Sequence, residues 1–381
     1  ELSGMADKWG IALAGGGTRG AYHLGVWKAI EEMGLRISTV VGTSIGSVNG
    51  ALFAQGDYEK AVQLWESSEL SDVLELGDNF SNHDNLLDYK NFLPIFEELV
   101  LKDGLKTLPL QRLLESVIDE ERLRNSDIDY GLNTTSIPAM QAVKLFAEDI
   151  PKGKLVDAIM ASSCFPGFQK KYIGDKAYAD GGILNNLPLD MLFGRGCRNI
   201  IAVDVGGVGI VRNEKCFDAN IIHIRCQKPL IGIFDFNKKL IAASQKQAYY
   251  DTYKAFGRLM GNKYYFNITD YFKARGNYSQ EIIGGIETAA EAYGINNLAV
   301  YRVDALIGGV LEGYRRYQEK DKEETLENIL KLKKDNASII TNVAKMIIEN
   351  RTEGLGNKLL CSFLGDRLAA AESIAYFVKN G

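Results

Sequence analysis

The run Val40-Val41-Gly42-Thr43-Ser44-Ile45-Gly46-Ser47 restricts the fold more than any other stretch: an apolar, strand-like segment breaks at a glycine, presents one serine and resumes as a small-residue helix. A chain that turns at once from strand to helix around a serine pushes the hydroxyl out from the backbone. Gly42 and Gly46 leave room for that sharp turn and for the helix to pack. Gly50, Ala51 and Ala54 then let the same helix lie close to a sheet. This is the form of a nucleophile elbow, with Ser44 as the candidate nucleophile. G-x-S-x-G also arises by chance, so its neighbours decide the reading.

Upstream, Ile11-Ala12-Leu13-Ala14 reads as a buried strand, Gly15-Gly16-Gly17-Thr18-Arg19-Gly20 as a glycine-rich turn, and Ala21 to Met33 as a helix with apolar residues at helical spacing. A turn placed there offers unpaired N–H groups and the positive end of a helix dipole, which suit an anion. Two anions fit: a dinucleotide pyrophosphate, or the oxyanion of an acyl-transfer intermediate. The first needs an acid about 20 residues on, at the end of the second strand. Thr39 to Ser44 contains none, and that strand runs into the serine instead. The oxyanion is therefore the better match.

Further along, Leu76 to Tyr89 and Phe92 to Phe96 lack a clean period and read as an excursion over the core, either an ordinary loop or a lid. Leu108 to Leu123 predicts an amphipathic helix with Leu110, Leu113, Leu114, Val117 and Ile118 on one face and Pro109 in its first turn. Asp129 to Phe146 reads as two strands, and Gly174-Asp175 as a two-residue hairpin turn. Tyr178-Ala179-Asp180-Gly181-Gly182 then places an acid where a strand gives way to a glycine turn, and Asn185 to Pro188 cap a short helix. Asn199 to Val205, Ile221 to Arg225 and Tyr264 to Phe266 read as later strands of the same sheet. Strands alternating with helices predict an α/β core with a mainly parallel sheet. Beyond about residue 270 only helical patterns remain. The expected organisation is a cloning scar at residues 1–4 ahead of Met5, a catalytic domain at 5–270 and an all-helical region at 271–381.

Composition narrows the function. Five cysteines at irregular spacing, with no C-x-x-C pair, fit neither a disulfide framework nor a zinc site, and a cytoplasmic setting is the default. A net charge of -5 gives no reason to expect nucleic acid as a partner. No Sec-type signal and no apolar stretch long enough to span a bilayer stand out. Only three histidines occur, His23, His83 and His223.

The glycine loop, the elbow and the Asp-Gly-Gly turn together resemble the patatin-like phospholipase family, whose signatures are G-G-G-x-[RK]-G, G-x-S-x-G and D-G-[GA]. All three match, and Ala161 to Pro166 and Asn185 to Pro188 resemble the family too. The resemblance covers about Trp9 to Val205 and fades after about residue 270. It implies a three-layer α/β/α core and a Ser–Asp dyad, with Ser44 as nucleophile and Asp180 as its base. Backbone amides of Gly15, Gly16 and Gly17 would form the oxyanion hole, with Arg19 adding positive charge and Gly20, Gly42, Gly46, Gly181 and Gly182 in support. It further implies an acyl-lipid substrate, at a membrane surface, with no metal or other cofactor. An acidic chain would need a local patch for such contact, and Leu86 to Phe96 is the first place to look.

Rival arrangements fit less well. A Ser44–Asp180–His223 triad has the right chain order, but His223 alternates with isoleucines inside a strand instead of standing on a loop. His23 lies near the glycine loop on a helix face that suits a structural role. A soluble carboxylesterase or thioesterase for short acyl chains would use the same dyad, and a non-catalytic binding module would be expected to have lost one of the three motifs.

Overall fold

The computed structural model describes residues 8–75, 106–165, 168–169, 171–212, 218–320, 335–351 and 362–380. The excursion expected between Leu76 and Phe96, and His83 with it, lie outside the described residues. By its contacts the chain divides into two units, Glu1–Ala255 and Phe256–Gly381.

The first unit is built on an eight-stranded sheet in the order β5-β6-β3-β2-β1-β7-β8, with β4 also pairing β3. The strands are β1 (Trp9–Leu13), β2 (Ile37–Thr43), β3 (Asp129–Ile137), β4 (Gln141–Phe146), β5 (Lys171–Ile173), β6 (Lys176–Asp180), β7 (Asn199–Asp204) and β8 (Asn220–Arg225). Pairs β3/β2, β2/β1, β1/β7 and β7/β8 are parallel, whereas β4 and β6 run antiparallel to β3, and β5 to β6. Central strands β1 and β2 are buried almost throughout, as a parallel sheet covered by helices requires. The mainly parallel α/β core with flanking helices is thus the observed one, and the hairpin at Gly174-Asp175 joins Ile173 to Lys176 across a positive-φ glycine.

One register fact positions everything that follows. Thr43, the last residue of β2, pairs with Asn133 of β3, and Asp180, the last residue of β6, pairs with the very next residue, Thr134. Gly131 and Thr134 also pair with β4, on the opposite edge of β3. Strands β2 and β6 therefore share one edge of β3 and meet end to end on it. Two segments more than a hundred residues apart in sequence finish at the same spot.

The second unit differs from the sequence expectation. Tyr265–Asn267 does not join the main sheet. As β10 it pairs antiparallel with β9 (Leu259–Met260) and parallel with β11 (Val300–Tyr301) in a separate three-stranded sheet. The division accordingly falls after Ala255 instead of residue 270, and a short strand lies within the stretch expected to be wholly helical. A three-residue aromatic run carries no signal for which core it enters. Here Tyr264 and Phe266 are fully buried against Ile283, Ile286, Leu306 and Ile340 of helices Gln280–Ala292, Val303–Lys320 and Asn336–Ile348. Among the described residues, no helix is long and apolar enough to cross a membrane.

Candidate active site

Ser44 stands between β2 and the helix Ile45–Gln55 with φ 55 and ψ -127, a backbone conformation that costs a non-glycine residue on the order of 1–3 kcal/mol. Its surroundings hold it there. The Ser44 N–H donates to Ser162 Oγ at 2.9 Å, and Ser162 Oγ donates to Asn133 O at 2.7 Å. The Ser44 carbonyl accepts from Ser47 N at 2.8 Å and from Ser47 Oγ at 2.6 Å. The glycines act as the sequence suggests: a Cβ on Gly42 would sit 2.1 Å from Gly46 O, and one on Gly46 would sit 2.1 Å from Leu13 O. The elbow thus closes against the end of β1, where the glycine loop begins.

Because β2 and β6 end on adjacent residues of β3, Asp180 arrives beside Ser44, both line one cleft, and the Ser44 hydroxyl is near enough to act on the Asp180 carboxylate. Gly182 N donates to Asp180 Oδ1 at 2.7 Å, and Asp180 N donates to Cys164 O at 2.7 Å. Burial pushes the Asp180 carboxyl up to about 6, against the downward pull of the hydrogen bonds from Ser44 and Gly182. Gly181 and Gly182 are tightly enclosed, since added Cβ atoms would stand 2.2 Å from Asn133 O and 2.8 Å from Asn186 Oδ1.

The glycine loop also adjoins Ser44, a Cβ on Gly15 standing 2.9 Å from Ser44 Cβ, and its three glycines are not equivalent. Gly15 N donates to Asn186 Oδ1 at 3.0 Å, and Asn186 Nδ2 donates back to Gly15 O at 3.1 Å, so the Gly15 amide is committed within the fold. The amides of Gly16 and Gly17 have no such partner among the described residues. Gly17 has φ +57, and a Cβ there would lie 2.1 Å from Ile233 O. Thr18 fastens the loop to the same segment, its N donating to Ile233 O at 2.8 Å and its Oγ1 to Gly232 O at 2.5 Å. Arg19 also differs from expectation. Its guanidinium donates to the carbonyls of Gly206 and Ile231 and is absent from the cavity lining, so it braces the loops behind the site. Gly20 gives way to the elbow helix, a Cβ there standing 2.6 Å from Ile45 Cγ1.

Ser44, Asp180 and the glycine loop open into one cleft that encloses about 960 Å³, part of it open to solvent. Leu110, Leu113 and Leu114 of the helix Leu108–Val117 form one wall, using the apolar face read from the sequence. Val48, Leu64 and Trp65 form another, and Phe165, Phe168 and Phe234 a third, with ring centroids 5.8–6.3 Å apart. Sequence reasoning missed the aromatic wall, because its members come from distant segments. It also gave Asn186 no role, although Asn185 to Pro188 stood out as a short helix cap and as part of the family resemblance.

Neither described histidine reaches the site. His23 is buried, its Nδ1 faces Asn49 Nδ2 at 3.1 Å, and burial pushes its imidazole down to about 3, so it stays neutral. His223 is exposed on β8, the edge strand of the sheet, and does not line the cleft. Among the described residues no group of three or more His, Cys, Asp or Glu has the arrangement of a metal site.

The fold and this site define an α/β protein with a serine at a strand–helix elbow, beside a buried aspartate, in an apolar cleft. Residues 11–193, a little under half of the chain, match the family model for patatin-like phospholipase, so this segment is a patatin-like phospholipase domain. Patatin-like phospholipase domain-containing protein 6 of Mus musculus is 29% identical over 204 residues, which are 51% of this chain and 13% of that protein. Lysophospholipase NTE1 of Eremothecium gossypii is 32% identical over 209 residues, 54% of this chain and 12% of that one. The match thus spans only a small part of these curated relatives. Of solved structures, VipD from Legionella pneumophila aligns with 97% of this chain and 90% of its own at 14% identity and a TM-score of 0.42, a likeness too loose to argue from.

Proposed function

We propose that this chain is a serine acyl hydrolase that cleaves ester bonds of phospholipids or other acyl lipids through a Ser44–Asp180 dyad. The observation that carries the reading is the Ser44 hydroxyl set beside a buried carboxylate, inside a cleft walled by leucine and phenylalanine side chains. Asp180 takes the Ser44 proton as Oγ attacks the ester carbonyl carbon. The amides of Gly16 and Gly17, and the N-terminal end of the helix Ile45–Gln55, stabilise the tetrahedral oxyanion. As the intermediate collapses, the bond to the leaving oxygen breaks and Asp180 returns the proton to that oxygen. Water, deprotonated in turn by Asp180, then releases the fatty acid and restores Ser44.

Two results test this. A base with a carboxyl near 6 is protonated and idle in more acidic solution. So kcat/KM is expected to rise about tenfold per pH unit up to about pH 6 and to flatten above about pH 7. A profile from pH 4.5 to 9 on an uncharged ester would contradict the reading if it inflected near 4 instead. The acyl chain is expected to lie along the Leu110, Leu113 and Leu114 wall. Leu113→Trp should then cut kcat/KM on long-chain lysophospholipid by about 10-fold or more while sparing acetyl and butyryl esters. A chain-length series separates this substrate class from short-chain esters and thioesters: a wild-type optimum at the shortest chains would favour a soluble carboxylesterase or thioesterase.

A further inference from the structure

Residues 162–164 thread between the two members of the dyad. Ser162 Oγ accepts from the Ser44 amide at 2.9 Å, and the Cys164 carbonyl accepts from the Asp180 amide at 2.7 Å. Ser163 sits between those two holds and lines the same cleft. Its own backbone N–H is spent on the helix Leu155–Ser162, donating to Ile159 O at 3.0 Å. Its side chain is different. Ser163 is 9% exposed, and its Oγ is buried with no hydrogen-bond partner. Folded proteins pair nearly all such groups, since an unpaired buried hydroxyl costs free energy, so an exception at the edge of a cleft calls for a cause such as a catalytic role or a bound partner. The neighbouring Ser162 makes the contrast plain, with its hydroxyl bonded on both sides.

Where an occupant would meet that hydroxyl follows from proton balance in the reaction proposed above, on which this inference rests. Asp180 takes the proton from Ser44 and returns it to the leaving oxygen, so the leaving oxygen must lie on the Asp180 side of Ser44. The oxyanion is held at Gly16 and Gly17. Ser163 belongs to the Asp180 side. We propose that the Ser163 hydroxyl hydrogen-bonds the leaving-group oxygen of an alkyl ester and holds it for protonation by Asp180. It then holds the hydrolytic water that enters the same place in the second step. Ser163 borders the cleft, and a serine hydroxyl has three staggered χ1 positions open to it. The bond broken in the first step is the carbonyl-carbon-to-alkoxy-oxygen bond, and the proton it needs is the one Asp180 already carries, so no other reactant is required. Ser163 is thereby the residue that favours alkyl esters, such as a glycerol lipid, whose alkoxide departs poorly unless protonated.

The test uses two leaving groups. A nitrophenyl ester of the same acyl chain departs as a stable phenolate without a proton, whereas lysophosphatidylcholine needs one. Ser163→Ala is expected to lose about 10- to 100-fold in kcat/KM on lysophosphatidylcholine, and less than about 3-fold in the pre-steady-state burst rate with the nitrophenyl ester. Ser163→Thr, which keeps the hydroxyl, should recover most of the loss. Ser163→Val, of the same shape without it, should not, so the comparison holds even where the smaller variant folds poorly. Equal losses on both esters, or none on the lipid, would overturn the assignment. Turnover by Ser44→Ala at the wild-type rate would instead overturn the dyad, and this inference with it.

Discussion

Asp180→Asn is expected to lose on the order of 10³- to 10⁴-fold in kcat and to gain stability in the same step. The activity loss follows from removing the carboxylate proposed to accept the Ser44 proton. The stability gain follows from the cost of keeping that carboxylate ionised while buried. Its carboxyl titrates near 6 when folded, against 3.8 for an ordinary aspartate, so the folded chain binds the proton more tightly than the unfolded chain. Wild-type stability therefore falls as pH rises from about 4 to about 6, by a displacement worth about 3 kcal/mol once both states are ionised. Asparagine carries no such penalty, and its amide still offers an acceptor to Gly182 N and a donor to Ser44. Thermal unfolding at pH 7.5 should show the variant more stable by up to about 3 kcal/mol, with the gap closing below pH 4. A variant less stable than wild type at pH 7.5 would mean that Asp180 serves the fold.

The second large effect is expected at Asn186. It is 1% exposed, and its side chain holds both the N–H and the carbonyl of Gly15, joining the loop after Asp180 to the loop that presents the Gly16 and Gly17 amides. Asn186→Ala leaves two buried backbone groups unpaired, at about 1–3 kcal/mol each. It also frees the glycine loop to drift. Loss of one ordered oxyanion donor costs about 10²- to 10³-fold in kcat, so Asn186→Ala should fall in that range, with KM for a long-chain ester little changed because the apolar walls remain. Asn186→Asp sharpens the test, since a carboxylate still accepts from Gly15 N but cannot donate to Gly15 O. An unchanged kcat in Asn186→Ala, in a variant with native thermal unfolding, would separate Asn186 from the chemistry.

The three glycine-framed motifs were legible because each is local: a strand, a turn and a small residue where a Cβ would strike backbone, as at Gly42 and Gly46. The apolar face of Leu108–Val117 was legible for the same reason, since helical period reports burial directly. What stayed hidden depends on register between distant segments. No local pattern says that Thr43 and Asp180 finish on adjacent residues of β3, yet that pairing brings hydroxyl and carboxylate together. Nor does a glycine triplet reveal which amide is taken: Gly15, Gly16 and Gly17 are alike in sequence, and only the position of Asn186 distinguishes the first. Arg19 beside a proposed anion site suggests attraction by charge, but the carbonyls of Gly206 and Ile231 claim its guanidinium. The strand at Tyr265–Asn267 was misassigned to the main sheet because two or three aromatic residues fit either core equally well.

Reaction with a long-chain fluorophosphonate, followed by peptide mapping, tests most directly whether Ser44 and Asp180 act as one unit. Wild-type protein should carry a single adduct on Ser44, formed faster as pH rises through about 6, and Asp180→Asn should label slower by on the order of 10³-fold. An adduct on another residue, or equal labelling rates with and without the carboxylate, would contradict the account.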